Sequence, residues 1–148
     1  MPYTLSLLQP VAVLLAWSGM MFVWLYATRL PAMKKMGIDI RGRKGTTGKD
    51  LDGVLPPEVQ WKAHNYNHLM EQPTLFYATA LALLFLGDAS TIATALAWGY
   101  AVLRILHSLE QTLVNRVIVR FPLFLLSSLC LLALIAKLVI AVFFPSFQ

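Results

Sequence analysis

Between Phe121 and Phe144 the only charged side chain is Lys137. An apolar run of that length exceeds the ~20 residues a helix needs to cross a hydrocarbon core. Three further stretches share the pattern: about 5–28, about 57–86, and about 92–113. The second of these begins amphipathic and turns apolar from Pro73. In lipid an open strand leaves its backbone polar groups unsatisfied, so each run is expected to be a helix. The expectation is an all-α integral membrane protein, a four-transmembrane-helix bundle running up-down-up-down as a single domain over 1–148. Composition agrees: 58% of residues are apolar and 13% charged, about half the usual charged share. A small soluble globule has no interior large enough to hide that much apolar surface. The first run has no basic segment before it and is longer than the apolar part of a secretory signal, so it is read as a retained helix.

The net charge of +5 is unevenly spread: seven of the twelve basic residues, Arg29, Lys34, Lys35, Arg41, Arg43, Lys44 and Lys49, fall in one stretch. No aromatic residues interleave them as in a nucleic-acid surface, so nucleic acid is not an expected partner and membrane lipids are. Positive charge marks the cytoplasmic side. The loop over about 29–56 and the third connection, "VNRVIVR", are therefore expected on that side, with both termini across the membrane. "LGDAST" reads as a tight turn in which Asp88 or Ser90 caps the next helix. Cys130 is the sole cysteine; it permits no intramolecular disulfide and is expected to be a buried, inert thiol.

Ionisable residues inside spanning segments are unfavourable and mark function by default. His64, His68 and Glu71 follow i, i+4, i+7, and at about 100° per residue they share one face of the second helix. Arg104, His107 and Gln111 share a face of the third, and Arg116 and Arg120 stand one turn apart at the start of the fourth. Three readings of these sets stay open. A buried ion pair of Glu71 with Arg104 or Arg120 would brace the bundle. A pocket for an anionic ligand would use the cationic surplus, since one carboxylate cannot neutralise three arginines. A metal site from His64, His68 and Glu71 has helical ligand spacing, but the chain's three histidines are far fewer than a di-iron membrane enzyme needs, and no metal is expected. Pro73 should kink the second helix beside Glu71, and Lys137 should snorkel or face a subunit contact.

"WKAHNYNHLMEQPTLFYATALALLFLG" followed by "RILHSLEQTLVNRVIVRFPLF" resembles the MAPEG family, the membrane-associated proteins of eicosanoid and glutathione metabolism. The likeness lies in a glutamate ahead of an apolar run with Pro and Phe, in Arg-x-x-His, and in an arginine sixteen residues after the first. It covers most of the chain. The resemblance implies a homotrimer of four-helix subunits, with glutathione as co-substrate held between neighbours near the cytoplasmic face. By matching positions Glu71 resembles the carboxylate that meets the glutathione amino group. Arg104, His107 and Gln111 resemble its helix-three ligands, and Arg120 resembles the arginine that activates the thiol. Arg29 resembles a basic residue reaching in from the adjacent subunit, and Arg116, His68 and Phe124 complete the expected binding set. His68 stands where family members usually carry asparagine, and Gln111 and Phe124 stand at positions often held by tyrosine. The resemblance implies a glutathione-dependent membrane transferase or peroxidase acting on a lipophilic small molecule. The substitutions keep open a non-catalytic lipid-binding or scaffold member of the same fold.

Overall fold

The computed structural model describes residues 2–42, 44–88 and 90–144, with side chains from residue 6 onward; Arg43 lies outside the described residues. Among the described residues five α-helices follow one another: α1 Pro2–Lys35, α2 Pro57–Met70, α3 Gln72–Phe85, α4 Thr91–Leu113 and α5 Val117–Phe143. A single 3-10 turn, Gly48–Leu51, interrupts the connection between α1 and α2. Among the described residues three helices are long and apolar enough to cross a membrane: Ser6–Lys35, Thr91–Leu113 and Val117–Phe143.

Two sequence expectations need correction here. The first helix does not end near Thr28 but runs seven residues further, so Arg29, Lys34 and Lys35 are helical and the loop is shorter than 29–56. Lysine and arginine are good helix formers, and the stop comes at Gly37, with φ of 66°. The Ile38 amide donates to the Met33 carbonyl at 3.0 Å and the Gly37 amide to Lys34 at 3.2 Å, which is a Schellman closure. The expected second helix over 57–86 is not one helix but two of 14 residues each. They separate at Glu71, whose φ and ψ of −88° and −99° are not helical. Pro73 is the cause: it lacks an N–H, and its ring collides with the carbonyl four residues back in a continuous helix. The Glu71 carbonyl instead accepts from the Thr74 amide at 3.2 Å and the Thr74 hydroxyl at 2.6 Å.

The remaining ends close as the turn chemistry requires. α3 stops at Gly87, with φ of 79°. Ser90 caps α4, its Oγ accepting from the Ala93 amide at 3.2 Å. α4 ends through Asn115, which holds φ of 64°, a left-handed conformation that asparagine tolerates better than most residues.

α4 is the central helix and packs against α1, α2 and α5. Ala93, Ala97 and Ala101 repeat every four residues and are fully buried, so their small side chains let neighbouring helices approach closely. Leu7, Val11 and Leu14 of α1, Phe76, Ala80 and Leu83 of α3, Tyr100 of α4, and Leu131 and Leu134 of α5 complete this core. The opposite end of the bundle has a polar interior instead: Gln60, Asn65, Arg104, His107, Ser108, Gln111 and Thr112 are all buried. Large apolar side chains such as Phe85, Ile118 and Phe143 point outward, the surface a helix presents to lipid rather than to water.

Candidate functional site

The helix break sets up the site. Where α2 stops, its last carbonyls lose their intrahelical donors. Arg104, only 1% exposed on the central helix, takes up one of them: its Nη2 donates to the His68 carbonyl at 3.0 Å. Its Nη1 lies 3.4 Å from His68 Nε2. Arginine can only donate, so Nε2 accepts and the His68 proton sits on Nδ1. That Nδ1 faces Glu71 Oε2 at 3.1 Å and donates to it. A cation at a helix C-terminus is thereby linked through one imidazole to the carboxylate at the break.

α4 and α5 supply the rest. His107, one turn after Arg104, brings its ring within 5.0 Å of the His68 ring. Phe124 on α5 lies 5.5 Å from His68, and the Arg104 guanidinium sits 5.7 Å from the Phe124 ring centre, in cation–π range. His68, His107, Val117, Arg120, Phe121 and Phe124 line one cavity of ≈ 200 Å³. Arg120 enters it from the first turns of α5 and donates through Nη1 to the Asn115 side-chain oxygen. The Nε atoms of Arg104 and Arg120 are both buried without a partner. Neither guanidinium forms an ion pair with a carboxylate among the described residues.

The other expected residues divide. Glu71 does not pair with Arg104 or Arg120; its partner is His68, and its side chain is 69% exposed. Gln111 is buried with its Oε1 unpartnered, but it does not line the cavity. Arg116 is held outside it by Glu110: Nε donates to Oε1 at 2.9 Å and Nη2 to Oε2 at 3.4 Å. The supposed excess of three arginines is therefore two. Arg29 lies at a different cavity of ≈ 390 Å³ with Lys49, Asp52, His64 and Asn67, and its Nη2 donates to the Gly48 carbonyl at 2.7 Å.

The two helical histidines part in the same way. His64 Nε2 meets Asp52 Oδ1 at 3.0 Å, and that hydrogen bond, aided by Gln60, holds the Asp52 carboxyl below its ordinary value. His68 faces Arg104 and Glu71 instead. Among the described residues no three His, Cys, Asp or Glu side chains converge as metal ligands. Val117, Phe121 and Asn115 are not among the site residues expected from the sequence. The first two extend the Arg120 and Phe124 face of α5 at helical spacing, a signal the sequence held. The role of Asn115 as acceptor depends on its turn conformation.

A bundle of long apolar helices with a buried cationic cluster at one end defines an integral membrane protein of the helical class. The MAPEG family model matches residues 7–140, nearly the whole chain, and the protein belongs to the MAPEG family. Membership supports a membrane function connected with glutathione or eicosanoids in general. No curated protein and no solved structure was found to match the chain.

Proposed function

We propose that the protein is a glutathione-dependent membrane transferase or peroxidase for a lipophilic electrophile, with Arg120 activating the thiol. The observation that carries this reading is a pair of guanidinium groups beside one cavity, Arg120 half-buried in its lining and Arg104 buried against His68, each with an unpartnered Nε and neither in an ion pair with a carboxylate among the described residues. Unpaired buried charge is strongly unfavourable, and a ligand with two carboxylates and a thiol supplies the missing anions. The donor set fits that tripeptide. Arg104 has its Nη atoms on His68 and keeps an unpartnered Nε as a charged donor for a carboxylate, Glu71 offers an acceptor for an ammonium, and Arg120 lines the cavity with its Nε unused.

A cavity of ≈ 200 Å³ is smaller than the ~300–1,000 Å³ of most small-molecule sites. The reading therefore takes a second copy of the chain, in a homotrimer, to complete the site, with Arg29 of the neighbouring copy as a contributor. His107 and Gln111 continue the binding face along α4, and Arg116 serves the membrane surface. The basic loop and the site face the cytoplasm in this account, and the lipophilic partner enters from the bilayer past Val117 and Phe121.

The chemistry required of Arg120 is modest. A free thiol has a pKa near 8.5, and bringing it to about 6.5 takes roughly 2.7 kcal/mol of preference for the thiolate. A half-buried guanidinium is of the right order. Arg120→Ala should still bind glutathione by calorimetry, lose the ultraviolet absorbance of the bound thiolate, and lower turnover about 100-fold, the scale seen when one electrostatic donor is removed. Full turnover in Arg120→Ala would show that the thiol is activated elsewhere.

The non-catalytic lipid-binding or scaffold reading rests on Gln111 and Phe124, which place no phenol in this cluster. It requires that millimolar glutathione produce neither heat nor a thermal shift.

A further inference from the structure

A further cavity is at the other end of the bundle. It has a volume of ≈ 620 Å³ and is formed by the α3–α4 turn, the start of α4 and the last third of α5. Its walls are apolar, with Ile92, Leu96, Ala133, Ala136 and Ile140, and its only charged lining residues are Asp88 and Lys137. Ala133 and Ala136 lie one turn and one residue before Lys137, and their short side chains leave space beside the lysine stem.

The sequence expectation for Lys137 is a snorkelling or subunit-facing residue, and the structure adds a partner within the chain. The lysine reaches from α5 to Asp88 in the turn and forms an ion pair there. Lys137 lies six residues before the end of α5, about 9 Å at 1.5 Å per residue, in the last third of the helix rather than at its middle. Neither partner is saturated. Asp88 accepts from Lys137 through Oδ2 and from the Ser90 amide through Oδ1 at 2.9 Å, whereas a carboxylate has about four acceptor positions. The lysine ammonium has three donors and uses one on Asp88. Burial opposes ionisation of Asp88, but Lys137 and Ser90 outweigh it and hold the carboxyl below its usual value.

We propose that this groove binds one phospholipid with a zwitterionic ethanolamine headgroup. The phosphate takes the spare donors of Lys137, the primary ammonium takes the spare acceptors of Asp88, and an acyl chain lies along Ile92, Leu96 and Ile140. Charge complementarity selects this occupant. The groove is neutral overall, so a purely anionic headgroup meets repulsion from Asp88. A choline headgroup carries the same charges but has no N–H to donate to the carboxylate. The assignment is independent of the glutathione reading, since the two sites share no residue.

The test uses the full-length protein purified from nanodiscs of equimolar phosphatidylethanolamine, phosphatidylcholine and phosphatidylglycerol, with bound lipid quantified by native mass spectrometry. Wild type should retain the ethanolamine lipid over either competitor by about tenfold, the value of one charged hydrogen bond. Asp88→Asn should erase the preference for ethanolamine over choline, and Lys137→Met should lower retention of all three lipids. Equal retention of the three by wild type overturns the proposal, and so does an unchanged preference in both variants. So does a lipid-free protein whose subunit number changes in Lys137→Met, which would make the groove a contact between copies. Circular dichroism melts of both variants confirm that the fold is retained before lipid is counted.

Discussion

The two ends of the bundle handle buried polarity in opposite ways. Around α3 and the first half of α4 the interior is aliphatic and aromatic, and the charge pair beside it, Asp88 with Lys137, balances to zero. Around α2 and the second half of α4 a buried arginine, Arg104, and a half-buried one, Arg120, lie against neutral acceptors, a backbone carbonyl and an asparagine oxygen. The first arrangement is what packing alone favours. The second is unfavourable unless something else supplies negative charge, and this difference locates the candidate site more firmly than any single motif.

Replacing Arg104 by methionine should break the contrast most strongly. It removes an uncompensated buried charge while keeping much of the side-chain volume. Glutathione affinity should fall by about tenfold or more, as for loss of a charged hydrogen bond. The melting temperature of the ligand-free protein should rise, because removing the charge relieves its desolvation. Titration calorimetry and a thermal melt on the same sample check both halves of the statement.

Enlarging a residue in the apolar half should give the converse pattern. Ala97 is fully buried on the central helix, and Ala97→Leu should destabilise the fold by about 1–3 kcal/mol through overpacking. Glutathione affinity in the folded fraction should stay unchanged. The smallest effect should come from Arg116→Ala, which removes an exposed partner of Glu110 and should alter binding by less than about twofold, as expected for a surface ion pair. A larger loss would bring Arg116 into the ligand site.

Much of this organisation was legible in the sequence because helical periodicity is local. The shared face of Arg104 and His107, the break near Pro73 and the cap at Ser90 all follow from residues a few positions apart. The long-range pairs were not legible. Lys137 finds Asp88 across 49 residues, and His64 finds Asp52 through the fold of the loop. Arg116 meets Glu110 because Asn115 turns the chain back in a left-handed conformation. Each of these pairs gives a charged or titratable side chain a partner that helical spacing does not reveal. Arg104 and Arg120 keep no carboxylate partner among the described residues, and they are the two arginines whose spacing carries the family resemblance.

The central claim is that these two guanidinium groups await an anionic ligand rather than a structural partner. A structure of the full-length protein in lipid with millimolar glutathione tests it most directly. The account predicts tripeptide density between neighbouring copies, with oxygen atoms within hydrogen-bonding distance of Arg104 and the sulfur beside Arg120. A structure in which carboxylates of a neighbouring copy pair with both arginines, with no glutathione between them, would contradict it.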